Sequence, residues 1–276
     1  CRADGIPVGF EDPLTGRFAG SSGGNPDLRQ EEATTWTVGG IIQPRFVPGL
    51  TLTADYYSIK IEDAISSVTS QNIVNTCYDL DTYPNDFCSL FTRNRDPNSQ
   101  TFLGLNGLRQ TQINFARIET SGLDMTAAYG FGFGENRFDL RVTANWIEKL
   151  DRFFDPVRSD VANPGLRELG APEWAGTGSI TWSNGPLALT WRTQYIGEQA
   201  IASAVEIERV DFEFGPDGMA GATWVHDISG RFEFNEGFEF FGGINNLTNV
   251  KPFPAGRAYP VSGLGRFLFI GAKARF

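Results

Sequence analysis

The run RFLFIGAKARF, Arg266 to Phe276, alternates with a period of two and ends on an aromatic side chain. Successive side chains of a strand point to opposite sides. Leu268, Ile270, Ala272 and Ala274 therefore share one face, and Phe267, Phe269, Gly271, Lys273 and Arg275 the other. One such strand also suits a soluble sheet lying over an apolar core. Other strands and their connections must decide between the two.

Alternation and turn residues mark about nine strands: 34–43, 50–61, 113–131, 138–148, 174–182, 187–195, 223–234, 238–245 and the terminal run. Their faces agree. Phe138, Leu140, Val142, Ala144 and Trp146 alternate with Asp139, Arg141, Thr143 and Asn145, and Leu187, Leu189, Trp191 and Tyr195 alternate with Thr190, Arg192 and Gln194. Short connections rich in Gly, Pro and Asn (44–49, 132–137, 183–186, 235–237) take turns with long ones (62–112, 149–173, 196–222, 246–265). An up-and-down barrel in an outer membrane has brief periplasmic turns and extended outer loops, which accounts for this asymmetry, whereas long irregular loops are uncommon inside a compact soluble domain. The expected fold is all-β, an antiparallel transmembrane barrel wall with its polar face toward the lumen and its apolar face toward lipid.

Single-chain bacterial barrels have an even number of strands, and nine would leave the two ends of the chain on opposite sides of the membrane. With Phe276 periplasmic, residues 1–33, rich in Gly, Pro and Ser, fall in an extracellular loop. Residues 34–276 are then the C-terminal portion of a larger barrel whose earlier strands close the remaining edges.

Composition removes several function classes. The formal charge of −10 and the absence of a basic block disfavour nucleic-acid binding. A single histidine, His226, disfavours a His-rich metal site or a His-based triad, and parity with Trp224 and Ile228 suggests a satisfied structural residue. No apolar run approaches the ~20 residues of a spanning helix. Cys77 and Cys88 lie eleven residues apart in a polar loop and fit a disulfide in an oxidising compartment. Cys1 remains over, either for a partner elsewhere or as a lipidated first residue.

Gly130, Gly132 and Gly134 superficially resemble a nucleotide loop but precede no helix and no Walker lysine. Asp79, Asp81 and Asp86 miss the spacing of a calcium loop. Nothing pairs any two of Glu148, Asp151, Glu168 and Glu173 as glycosidase carboxylates. The candidate ligand contacts are loop side chains able to stack or to form charged hydrogen bonds: Arg93, Arg95, Arg152, Phe153 and Phe154.

Three stretches carry a family resemblance: GLTLTADYYSIKIEDAI (Gly49–Ile65), NFARIETSGLDMTAAY (Asn114–Tyr129) after the paired cysteines, and GINNLTNVKPF (Gly243–Phe253) before the strand ending in Phe276. Residues 25–276 resemble TonB-dependent outer-membrane receptors, a resemblance that implies a 22-stranded barrel filled by an N-terminal plug, with a periplasmic segment engaged by TonB. Neither plug nor coupling segment is in this sequence. The expected partners are that N-terminal plug and barrel portion, the TonB complex, outer-membrane lipids, and an extracellular ligand or surface lipoprotein. The location implied is the outer membrane of a Gram-negative bacterium, and the activity is binding and uptake of a scarce solute (ferric siderophore, haem, cobalamin or oligosaccharide). Neither catalysis nor a cofactor is expected. A passive porin and a secreted β-rich enzyme or adhesin are the rival readings.

Overall fold

The computed structural model describes residues 1–13, 19–200, 219–253 and 259–274; the terminal aromatic Phe276 lies outside them. The strands are β1 (Gly20–Gly23), β2 (Glu32–Ile42), β3 (Leu50–Ser67), β4 (Phe91–Arg93), β5 (Leu105–Phe133), β6 (Asn136–Phe153), β7 (Asn163–Pro164), β8 (Trp174–Asn184), β9 (Leu187–Ile196), β10 (Gln199–Ala200), β11 (Met219–Ala220), β12 (Thr223–Asn235), β13 (Phe238–Asn245) and β14 (Phe267–Ala274). One helix, α1 (Ser70–Asp79), and two 3-10 turns, Arg2–Asp4 and Asp86–Leu90, complete the described elements. None of these is a helix long and apolar enough to cross a membrane.

The chain forms two compact units. The larger comprises Thr35–Ile59, Glu119–Asp151 and Asn163–Phe276. The nine expected strands are hydrogen-bonded in the order β2-β3-β5-β6-β8-β9-β12-β13-β14. From β6 to β14 the pairing is antiparallel, and a single register shift, between Glu233 and Asn235, sits beside a turn. Two-residue connections join β5 to β6, β8 to β9 and β12 to β13. Gly134 and Gly185 open the first two with positive φ (59° and 50°), as tight hairpin turns require.

Register places like with like. Leu140, Ile180, Trp191, Ile228, Ile244 and Leu268 are successive cross-strand partners, forming one apolar row over six strands. Arg141, Ser179, Arg192 and Asp227 form a row on the opposite face. The apolar face is bare: Val142 is 51% exposed, Trp191 48% and Ile270 90%. Aromatic pairs mark both ends of it. Trp146 stacks on Trp174 (6.0 Å between centroids) and Tyr195 meets Trp224 (4.7 Å) at one end, while Phe131 stacks on Tyr129 (5.2 Å) and Phe138 (5.0 Å) at the other. Trp146 follows Phe138 by eight residues, about 27 Å along an extended strand, or roughly 20 Å in height at a tilt of about 40°. That height matches an apolar band between aromatic girdles.

The smaller unit comprises Cys1–Thr34, Lys60–Ile118 and Arg152–Ala162. Its core is Val68, Ile73, Cys77, Phe87, Leu90, Phe91 and Leu108. Thr69 caps α1, its Oγ1 accepting from the Asn72 amide at 3.2 Å. The helix then turns Ile73, Thr76 and Cys77 inward, and the Cys77–Cys88 disulfide ties it to the second 3-10 turn. β1 pairs in parallel with β5 through Gly20 and Leu108, and β4 pairs antiparallel with the same strand.

The strands match the alternation, with two differences. β3, β5 and β6 run past their expected ends, because residues such as 62–67 and 105–112 are not divided into an apolar and a polar face and so lose the two-residue signal. The connection 62–112, expected as a loop, contains α1, β4 and the start of β5. Ile73, with no exposed surface, holds that unit together. Ile73→Ala is expected to cost about 2–5 kcal/mol locally, read as faster amide hydrogen exchange in α1 with β8 and β9 unchanged.

Candidate functional site

Asp4 organises the smaller unit. Its Oδ2 accepts from the Tyr78 hydroxyl at 2.7 Å, and its Oδ1 pairs with the Arg95 guanidinium. Arg93 lies behind them with only 7% of its side chain exposed. Its Nε donates to Tyr78 Oη (2.9 Å) and its Nη1 to the Leu103 carbonyl (2.8 Å) and Asp12 Oδ2 (3.4 Å), while the rings of Tyr78 and Phe91 flank the guanidinium at 5.5 and 5.8 Å. A buried arginine needs its donors occupied, and here Nε and Nη1 find their acceptors within the chain. Burial alone would raise the Asp4 carboxyl, but the hydrogen bonds from Tyr78, Arg95 and Tyr83 and the charge of Arg95 outweigh it and hold the group below its ordinary value. Burial likewise raises the Tyr78 hydroxyl, and its bond to Asp4 adds to the shift.

The expected ligand residues thus have unequal surroundings. Arg93 and Arg95 come together on Asp4. Phe153 is buried beneath the Arg117 guanidinium, 3.7 Å from its ring centre; Arg152 is half-buried and engaged; Phe154 is exposed. Arg109, not among the expected contacts, lines two clefts. One, of about 370 Å³, also has Asn25, Arg29, Asp86, Phe87 and Phe115 in its walls, and the other, of about 530 Å³, has Ser89, Leu90 and Thr92. Arg109 is exposed and makes no ion pair among the described residues. Its cleft partners come from segments some eighty residues apart in the chain, so no local pattern announces it.

In the larger unit one buried glutamine ties three connections. Gln199 Oε1 accepts from the Gly170 amide (2.6 Å) and the Tyr259 hydroxyl (2.9 Å), and its Nε2 donates to the Gly197 carbonyl (3.3 Å). Arg167 adds an ion pair to Glu198. The carboxylates considered for hydrolysis have structural partners: Glu148 accepts from Tyr56 (2.8 Å) and Ser121 (3.0 Å), Glu173 from Trp146 Nε1 (3.4 Å), and Asp151 faces Lys149. Among the described residues no three His, Cys, Asp or Glu side chains are grouped to hold a metal. His226 departs from expectation. It lies on the apolar face against Trp191, where neither its Nδ1 nor the Oγ1 of its cross-strand neighbour Thr193 finds a hydrogen-bond partner, because the surrounding face offers none.

Residues 5–247 match the family model described as TonB dependent receptor-like, beta-barrel. The chain belongs to this family. Its sheet is accordingly part of a TonB-dependent receptor barrel, and the fold recurs in solved structures. The ferric-catecholate import receptor Fiu from E. coli K12 is similar over 91% of this chain and 29% of its own (TM-score 0.55, 16% identity). The siderophore receptor PirA from Acinetobacter baumannii is similar over 92% and 33% (0.56, 14%), and the FrpB iron transporter from Neisseria meningitidis over 94% and 32% (0.55, 14%). The chain spans about a third of the length of these receptors. No curated protein matches it in sequence.

The Asp4 linkage has a definite sign. A carboxyl held below its unfolded value of about 3.9 contributes fully above that pH, and the contribution is lost as pH falls through the lower folded-state value. Acidification below about pH 4 is therefore expected to free residues 1–6, seen as loss of amide protection there. Asp4→Asn should show weak protection at every pH.

Proposed function

We propose that this chain is the C-terminal barrel portion, residues 34–276, of a 22-stranded outer-membrane receptor of a Gram-negative bacterium, with residues 1–33 belonging to an extracellular loop. The whole receptor binds a scarce solute on its outer side and imports it past an N-terminal plug, with TonB supplying the energy. The observation that carries this reading is the two-faced sheet. An apolar face runs from β6 to β14 between aromatic rims, and a polar face backs it, an arrangement suited to lipid on one side and a filled lumen on the other. The family match supports it. Binding and passage need no catalytic residue or cofactor.

For the solute, a ferric siderophore is favoured by the names of the receptors sharing the fold, Fiu and PirA. Net charge of −10 gives an anionic chelate no long-range attraction, so capture must rest on short-range contacts. Arg109, open to two clefts, is the proposed contact, with Arg95 and Phe154 beside the solvent and Arg93 and Phe153 as supports. The paired hydrogen bonds of a guanidinium suit a catecholate or carboxylate oxygen. In cells whose only receptor of this class is the full-length protein, ferric catecholate uptake should stop when the proton-motive force is collapsed. Arg109→Ala should weaken binding about tenfold, the scale of one charged hydrogen bond. Uptake that survives uncoupling would point instead to a passive porin.

A further inference from the structure

A polar pair interrupts the apolar face. Thr193 and His226 are cross-strand partners on β9 and β12, in the row that begins with Val142 and Gly178. The rows on either side of it are apolar, with Leu140, Ile180, Trp191 and Ile228 on one side and Ala144, Gly176, Tyr195 and Trp224 on the other. Thr193 Oγ1 and His226 Nδ1 are both shielded from solvent, and neither has a hydrogen-bond partner among the described residues. The imidazole leans on the Trp191 ring, 5.6 Å between centroids. Two unpaired polar atoms at one place on such a face carry a desolvation cost, and an ionisable side chain at membrane depth marks a site that has a partner.

The pair stands beside a trough. β8 contributes no side chain to this face at Gly176 and Gly178, which lie between Ala144 and Val142 of β6 and Tyr195 and Thr193 of β9. A Cβ on Gly176 would stand 2.7 Å from the Thr143 carbonyl oxygen, and one on Gly178 would stand 3.3 Å from Thr193 Cγ2. Trp174, stacked on Trp146, closes one end and Ile180 the other. Rotation about χ1 of Thr193 exchanges its hydroxyl with the methyl that lies over Gly178, which turns Oγ1 into the trough. The short turns lie at the far end of these strands, so on the barrel reading Trp174, Tyr195 and Trp224 belong to the outer rim. His226 follows Trp224 by two residues, about 7 Å along the strand, or roughly 5 Å in depth at a tilt of about 40°. Rim aromatics sit at headgroup level, so the pair meets the first few carbons of an outer-leaflet acyl chain. An ester carbonyl only accepts and serves one tautomer of the ring. A hydroxyl both donates and accepts, so a single one bridges Thr193 Oγ1 and His226 Nδ1 whichever ring nitrogen carries the proton.

We propose that this part of the wall holds one hydroxyacyl lipid, its chain lying in the Gly176–Gly178 trough and the hydroxyl near its headgroup linkage bridging Thr193 and His226. The site presupposes the barrel reading above and adds the place and chemistry of a single bound lipid. The full-length receptor, purified in detergent, is given equal amounts of two probe lipids that differ only in hydroxylation, a phosphatidylglycerol with 3-hydroxymyristoyl chains and its myristoyl counterpart, and the retained lipids are counted by native mass spectrometry. The wild type should retain the hydroxylated probe about tenfold over the other, the scale of two hydrogen bonds. Thr193→Val combined with His226→Leu, both suited to an apolar face, should bring the ratio to about one, whereas Thr193→Ser, which keeps the hydroxyl, should preserve it. Equal retention of the two probes by the wild type, or an unchanged ratio in the double variant, overturns the site and leaves the barrel standing. Receptor pairs in place of a retained hydroxylated probe would put a second copy at the trough and overturn the site as well. A receptor that retains neither probe and stays soluble without detergent overturns the barrel reading and the site with it.

Discussion

The registered backbone pairing of β6, β8, β9, β12, β13 and β14 is the constraint on which the rest depends. Side chains alternate with a period of two, so a slip of one residue in any of these strands would carry its whole apolar set to the polar side. Leu140, Ile180, Trp191, Ile228, Ile244 and Leu268 can form one row only because every pairing between them is in phase. The register shift near Glu233 is harmless, since it falls beside a turn and beyond the row. In lipid the same ladder has a second task. No water is present to satisfy an unpaired N–H or C=O, so each strand needs neighbours on both sides, and the sheet order ends at β2 and β14.

Where one face is apolar and the other polar, the sequence carries a strong two-residue signal, and the β8–β9 and β12–β13 hairpins were readable almost to the residue. The signal fades where that contrast ends. The 29 residues of β5 lose it before Ile113, and helix α1 is short, with Thr69 and the inward Ile73 and Cys77 as its only sequence marks. Parallel pairing of Gly20–Gly23 with β5 joins residues nearly ninety apart and has no local trace. The site was less legible than the fold. Arg93 reads as a loop cation, but Asp4 and Asp12, far away in sequence, draw it into the interior. Gln199 and Arg109 matter through partners that only folding supplies. The Cys77–Cys88 pairing was legible from the eleven-residue spacing in a polar stretch, although the cysteines lie on α1 and the second 3-10 turn rather than in a loop.

The two units show different ways of fixing long connections. One uses a small core, a disulfide and an ionic cluster around Asp4; the other hangs three connections on the buried amide of Gln199. Both reduce the conformational freedom of the connections. On the proposed function, such preorganisation would raise affinity for a dilute solute and leave the exposed polar groups of the Arg109 clefts for contact.

The central claim is that the Phe138–Trp146 segment has lipid on one side only. The most direct test is a nitroxide scan of positions 138 to 146 in the bilayer-embedded receptor, comparing collisions with oxygen and with a water-soluble nickel complex. Positions 138, 140, 142, 144 and 146 should favour oxygen, with 139, 141, 143 and 145 reversing the preference, a period of two sustained from rim to rim. Equal nickel accessibility on both sets of positions would mean that water bathes both faces, and would contradict the membrane barrel.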